Sequence, residues 1–195
     1  MSPLPDATYD ALYRTVQAEV GVRLFTISLL DRAARLSRRA YTSHPQDYPV
    51  TGTKPMGGDD WSRRVIDEGQ TFVANTTAEF APFFSDHAFI NQLGCQSAVN
   101  IPVSNGHETV GTVNLLDVEG YFTPARLDRL HAIIAAERPA LVAALQALQG
   151  AGLQPAHTTS ILFSNFEEVG HGGAAEIPAS VEEFVAVDMA AMGEG

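Results

Sequence analysis

A single cysteine, Cys95, stands in the 195 residues, which excludes an intramolecular disulfide framework. No apolar run is long enough to span a bilayer. The opening MSPLPDATYD lacks the charge-then-apolar order of a secretory signal, so a cytoplasmic protein is expected. Basic side chains are scarce, twelve against 23 acidic for a net charge of −11, and this argues against nucleic acid or anionic membrane as a main partner. The histidines (His44, His87, His107, His131, His157 and His171) show no zinc-ligand spacing. No glycine-rich loop follows a strand and opens a helix, as a phosphate cradle requires, and no internal repeat is visible.

Lys and Arg are missing altogether from residues 149–195, which carry −7, whereas residues 1–148 carry −4. Gly150, Gly152 and Pro155 cluster at that border. The shift predicts a main domain over 1–148 and a short acidic segment over 149–195. Hydrophobic content of 45% is enough for a substantial core.

The most informative stretch is LGCQSAVNIPVSNGHETVGTVNLL, residues 93–116. It reads as two apolar strands turning at Asn105-Gly106, a hairpin signal because both residue types accept positive φ. Alternation places Ser97, Val99, Ile101 and Val103 on one face and Ala98 and Asn100 on the other; Val113 and Leu115 likewise oppose Asn114 and Leu116. Strands this apolar on both faces belong at the centre of a covered sheet. Asn100 and Asn114 lie among aliphatic neighbours, and buried amides need partners that a ligand could supply.

Upstream, Asp6 is a helix N-cap candidate before Leu12, Tyr13, Val16 and Val20, with Gly21 as the stop. LFTISLLD (24–31) and ARLSRRAYTS (34–43) read as strands, the second an exposed edge whose Arg35, Arg38 and Arg39 form a solvated rim. Residues 44–58, rich in Pro and Gly, are a loop. Asp59 or Asp60 caps a short helix with Trp61, Val65 and Ile66, ended by Gly69, and QTFVAN (70–75) is a strand. Phe80, Phe83, Phe84 and Phe89 then crowd around Asp86 and His87 as a core or lid. Thr123 caps a long helix with Pro124 at its first position. Leu127, Leu130, Ile134, Leu141, Leu145 and Leu148 form its apolar stripe, Pro139 is expected to kink or break it, and Arg126, Asp128 and Arg129 are expected to be solvated.

The order G-C-x-S-A-V-N-I-P-V, a short turn, and V-G-T-V-N-L-L resembles the signature hairpin of GAF domains, the small-molecule-binding modules of bacterial sensors. HPQDYPVTGTKP and FFSDHAFINQLGCQS are similar to the small stand-alone bacterial members, and the likeness covers roughly 9–148. The resemblance implies an α/β (α+β) fold with an antiparallel sheet sandwiched by helices, a sensory or regulatory role, and a homodimer through the last helix. It implies a pocket over the sheet for an unknown small molecule, lined by Trp61, Phe84, Asp86, Phe89, Cys95, Ser97, Asn100 and Asn114. A purely structural dimerisation domain is the alternative.

Cys95 has no resolving partner, so the methionine sulfoxide reductase chemistry of one relative of this fold is not expected. A buried apolar role suits a lone cysteine better. A reactive thiolate would need a nearby cation such as His87 or Arg63, and Asp86-His87 with Cys95 is too loose a pattern for a triad.

The segment ILFSNFEEVGHGGAAEIPASVEEFVAVDMAAMGEG resembles an interior piece of the dinuclear-metal deblocking or glutamyl aminopeptidases. That resemblance implies Glu167 as general base and Glu168 and Asp188 as ligands of zinc or another divalent metal. The upstream His, bridging Asp and downstream His of that family have no counterparts here, Asp128 being taken up by the helix. The expectation is therefore an inactive, incomplete fragment with no certain cofactor; a fused or truncated aminopeptidase is the alternative.

Overall fold

The computed structural model describes residues 5–50 and 53–150. Helix α1 (Pro5–Glu19) leads into strands β1 (Leu24–Asp31), β2 (Leu36–Thr42) and β3 (Thr53–Pro55). Three short helices follow: α2 (Asp60–Ser62), which runs on into a π-helical turn (Arg63–Asp67), and, after β4 (Phe72–Ala74), α3 (Thr77–Phe80) and α4 (His87–Gln92). The hairpin strands β5 (Ser97–Ser104) and β6 (Thr109–Asp117) and the long helix α5 (Pro124–Gly150) complete it. The sheet is antiparallel, in the order β3-β2-β1-β6-β5-β4. The expected hairpin therefore supplies β5 and β6, and β6 is buried along its whole length.

One face packs under α1 and α5. Val99, Ile101, Val103, Val113 and Leu115 meet Tyr9, Leu12 and Val16 of α1 and Leu130, Ile134, Leu141 and Leu145 of α5. Leu130, Ile134, Leu141 and Leu145 of the α5 stripe are thus buried on its own sheet, and Leu127 and Leu148 are partly so. The opposite face packs Leu24, Ala98 and Leu116 against Val65, Phe80, Phe84 and Ile90 of the short-helix layer.

Several local expectations needed correction. Helix α1 begins at Pro5, so Asp6 sits in its first turn instead of capping it. Residues 34–35 belong to the β1–β2 turn, where Arg35 has φ +53. β2 is an inner strand, since the loop expected over 44–58 contributes the edge strand β3. The hairpin turn is longer than two residues: Asn105 N donates to Glu108 O at 3.1 Å, Asn105 Oδ1 accepts from the backbone of His107 and Glu108, and Gly106 alone takes positive φ. Helix α5 continues through Pro139; with Leu141 and Leu145 fully buried on the sheet, packing outweighs the one backbone bond that Pro removes.

Of the charged residues expected to be solvated, Arg35, Asp128 and Arg129 are exposed and Arg38, Arg39 and Arg126 half-buried. Arg126 donates to Tyr121 O at 2.8 Å and lies 3.9 Å over the Tyr121 ring. Arg129 pairs with Glu19, and Arg38 with Asp31 at 3.5 Å. Among the described residues no helix is long and apolar enough to cross a membrane.

Candidate functional site

Strand pairing sets a polar row across the middle of the sheet. Thr42 is the register partner of Thr26, Thr26 of Asn114, Asn114 of Asn100, and Asn100 of Phe72. All five side chains are buried, on the face under the short helices. From that layer the indole of Trp61 reaches down and donates to Asn100 Oδ1 at 2.8 Å.

That contact fixes the direction of the whole row. An indole N–H can only donate, so Asn100 presents its oxygen to Trp61 and its amide nitrogen to Asn114 Oδ1, at 2.8 Å. Asn114 then turns its own nitrogen to Thr26 Oγ1 at 3.2 Å and Ser28 Oγ at 3.1 Å. Both asparagines are satisfied by protein groups; neither amide needs a ligand in this state.

Aromatic rings enclose the row. Phe84 stands edge-on to Trp61 with centroids 6.4 Å apart and packs on Phe72 and Phe80 at 6.1 and 5.4 Å. A latch lies over them. Asp86 accepts from the Tyr48 hydroxyl at 2.5 Å and from Lys54, the chain's single lysine, at 2.7 Å. Burial alone would push the Asp86 carboxyl up; the Lys54 ammonium and the Tyr48 hydroxyl outweigh it, and the group sits below its ordinary value. Tyr48 is pushed up by burial and by its carboxylate partner. Its ring lies between the Arg39 guanidinium, 3.5 Å from the centroid, and Phe89, stacked at 6.2 Å. The latch thus joins the loop before β3 to α4.

Of the residues singled out from sequence, Trp61, Phe84, Asp86, Phe89, Asn100 and Asn114 come together in this layer. Ser97 does not. Strand alternation sets it on the face opposite Asn100, and its hydroxyl is taken by the carbonyls of Asp117 and Val118 at 3.2 and 2.7 Å. Cys95 is fully buried in the apolar cluster beneath the layer. Burial first, then the Asp117 charge, push its thiol up to about 11. Neither expected cation serves it: His87 Nδ1 is 2.9 Å from Phe84 O, and Arg63 pairs with Asp60 and Glu68.

Sequence reasoning missed Thr26, Ser28, Tyr48 and Lys54. The first two were within reach, because alternation in LFTISLLD puts them on one face together. Nothing local marks the other two, which lie in and beside a loop. Two clefts of about 370 Å³ each also flank the π-helical turn and share Arg32, Ile66 and Asp67 as lining.

Glu167, Glu168 and Asp188 lie outside the described residues. Among those described, no three His, Cys, Asp or Glu side chains gather as metal ligands would.

The fold is that of GAF domains. The GAF domain of a two-component sensor histidine kinase from Bacillus halodurans superposes with a TM-score of 0.59 at 14% identity, over 75% of this chain and 97% of that one. A GAF domain/HD domain protein from Geobacter sulfurreducens gives 0.60 at 11%, over 73% and 94%. The GAF domain of a phosphoenolpyruvate-protein phosphotransferase from Coxiella burnetii gives 0.57 at 14%, over 77% and 87%. The other end of the chain is similar to something else. Residues 138–195 match the M42 glutamyl aminopeptidase family. A 55-residue stretch is 40% identical to YhfE of Bacillus subtilis (strain 168), named as a candidate aminopeptidase. That stretch is 28% of this chain and spans 16% of the relative's length.

Proposed function

We propose that residues 1–148 form a sensory module that binds a small molecule over the centre of the sheet, between the Asn100–Asn114 row and the α2–α4 layer. The observation that carries this reading is the buried polar row beneath an aromatic cover held by one latch. Ligand sites are mostly apolar with a few placed polar groups, and this face has that composition. In the state described the row is internally satisfied, so a ligand must replace partners instead of filling a vacancy. Entry then requires the Tyr48–Asp86–Lys54 latch to part.

A thermal-shift screen of the full chain against metabolites and cyclic nucleotides tests it. A ligand at a hundred times its dissociation constant adds about 2.7 kcal/mol. The expected result is a hit that Asn100→Ala abolishes; silence across the library, or hits indifferent to Asn100, would sink the proposal.

The match over 138–195 favours a second reading, in which the acidic segment is part of a metal-dependent aminopeptidase. Zinc-dependent release of amino acids from peptides by the pure protein, lost in Glu168→Ala, would support it. Absence of release favours an inactive fragment.

A further inference from the structure

We propose that the Trp61 indole occupies, from within the chain, the seat its ligand takes, and that this ligand is a planar aromatic molecule with a ring N–H donor. This rests on the binding-module reading and adds the ligand's chemistry and the way the seat is vacated.

Three independent features point there. The first is polarity. Among the described residues, Trp61 is the only side chain of the short-helix layer that hydrogen-bonds to the row. Because the row runs one way, from Asn100 Oδ1 to the Thr26 and Ser28 hydroxyls, whatever replaces the indole must donate to Asn100 Oδ1. A group that only accepts would leave a buried carbonyl oxygen without a partner.

The second is shape. The indole stands against the Phe84 ring at 79°, and Phe84 packs in turn on Phe72; this edge-to-face contact suits a flat aromatic ring in the seat.

The third is the backbone of the segment that carries Trp61. Gly57 and Gly58 (φ +95 and +100) stand before it and Gly69 (φ +64) after it. A Cβ at Gly58 or Gly69 would meet nothing within 4 Å, so both flanking glycines face open space, while Gly57 N donates to Ser62 Oγ at 3.2 Å and Gln70 N to Arg64 O at 2.9 Å. Between them lies the π-helical turn, closed by Glu68 N to Arg63 O at 2.9 Å. Such turns are frequent at functional sites. The two clefts beside this turn, each about 370 Å³, are lined by Ile66 and Asp67 of the same segment. Val65 and Ile66 stay anchored in the core, so the movement required is confined to the Trp61 end of the segment. Trp61 is half-buried at the edge of the apolar cluster, so the ring that takes its seat must cover the apolar surface that the indole leaves.

The test uses indole and 1-methylindole, which differ in the ring N–H. In the full-length Trp61→Ala variant, indole is expected to bind about tenfold more tightly than 1-methylindole, the discrimination of one hydrogen bond. Adding Asn100→Leu should erase the preference. Equal binding of the two probes, or none, overturns the proposal. The unaltered protein gives a readout that needs no variant. With one tryptophan in the chain, a single indole N–H resonance reports on the Asn100 bond. Millimolar indole should move it to a solvent-exposed position while 1-methylindole leaves it in place; a resonance indifferent to both overturns the assignment. A silent metabolite screen would remove the binding-module reading, and these indole measurements do not depend on that screen.

Discussion

Asn100 and Asn114 are direct cross-strand partners on β5 and β6, and one amide donates to the other at 2.8 Å. The pair is a relay between a donor above the sheet, Trp61, and two hydroxyls at its centre. Each buried amide is expensive alone and affordable only in the chain.

Removing one link should therefore cost more than one hydrogen bond. Asn100→Ala strands the Trp61 N–H and the Asn114 oxygen, and a loss of about 2 to 3 kcal/mol is expected in urea denaturation. Trp61→Phe should cost less. The double variant should fall short of the sum, because both changes remove the same bond.

The latch has a predictable pH response. The Asp86 carboxyl is held below its ordinary 3.8 in the folded chain. Its stabilisation is complete above the unfolded value and is lost as pH falls through the folded one. Asp86→Asn should remove this part of the acid dependence of stability and leave the rest. Because Lys54 is the single lysine, amine methylation with a labelled methyl gives one ε-amine NMR signal beside that of the α-amine, and the ε-amine signal should shift when Asp86 is changed.

At Gly111 the β6 backbone lies close under Leu145 of α5. A Cβ there would lie 2.5 Å from the Ser28 carbonyl oxygen and 2.6 Å from Leu145 Cδ1. Leu145 can move; the β1 backbone cannot without breaking its pairing with β6. Gly111→Ala is expected to destabilise by about 3 kcal/mol, read as a lowered melting temperature.

Cys95 should be inert in the native state. Its thiol is buried and raised to about 11, so a disulfide reagent at pH 8 should label it only at the rate of unfolding. Fast labelling of native protein would contradict this placement.

The peptidase-family match begins at residue 138, inside α5. Leu141, Ala144 and Leu145 of that overlap are buried against the sheet. Deleting 138–195 should abolish cooperative unfolding by circular dichroism, whereas deleting 151–195 should preserve it. The boundary of similarity and the boundary of the fold are thus different boundaries.

By itself the sequence determined the hairpin strands, their two faces, the amphipathic first and last helices and the aromatic layer. Each of these is a local pattern, a period of two or of 3.6 in apolar residues that any fold must bury. It also singled out Asn100 and Asn114, because polar groups in apolar runs stand out without coordinates, whereas Trp61 entered through the resemblance to GAF domains. Only the tertiary structure decided what these residues do to one another. The Trp61–Asn100 bond spans 39 positions and the Asn114–Thr26 bond 88, and no local rule reaches so far. Ser97 was grouped with the asparagines although its parity placed it on the other face, and the fold enforced that parity. Tyr48 and Lys54 carried no pattern at all; their partner Asp86 is brought to them by the packing of α4 on the sheet. Pro139 read as a break because a local rule knows its missing N–H, while the burial of Leu141 and Leu145 that holds the helix together exists only once the sheet is in place.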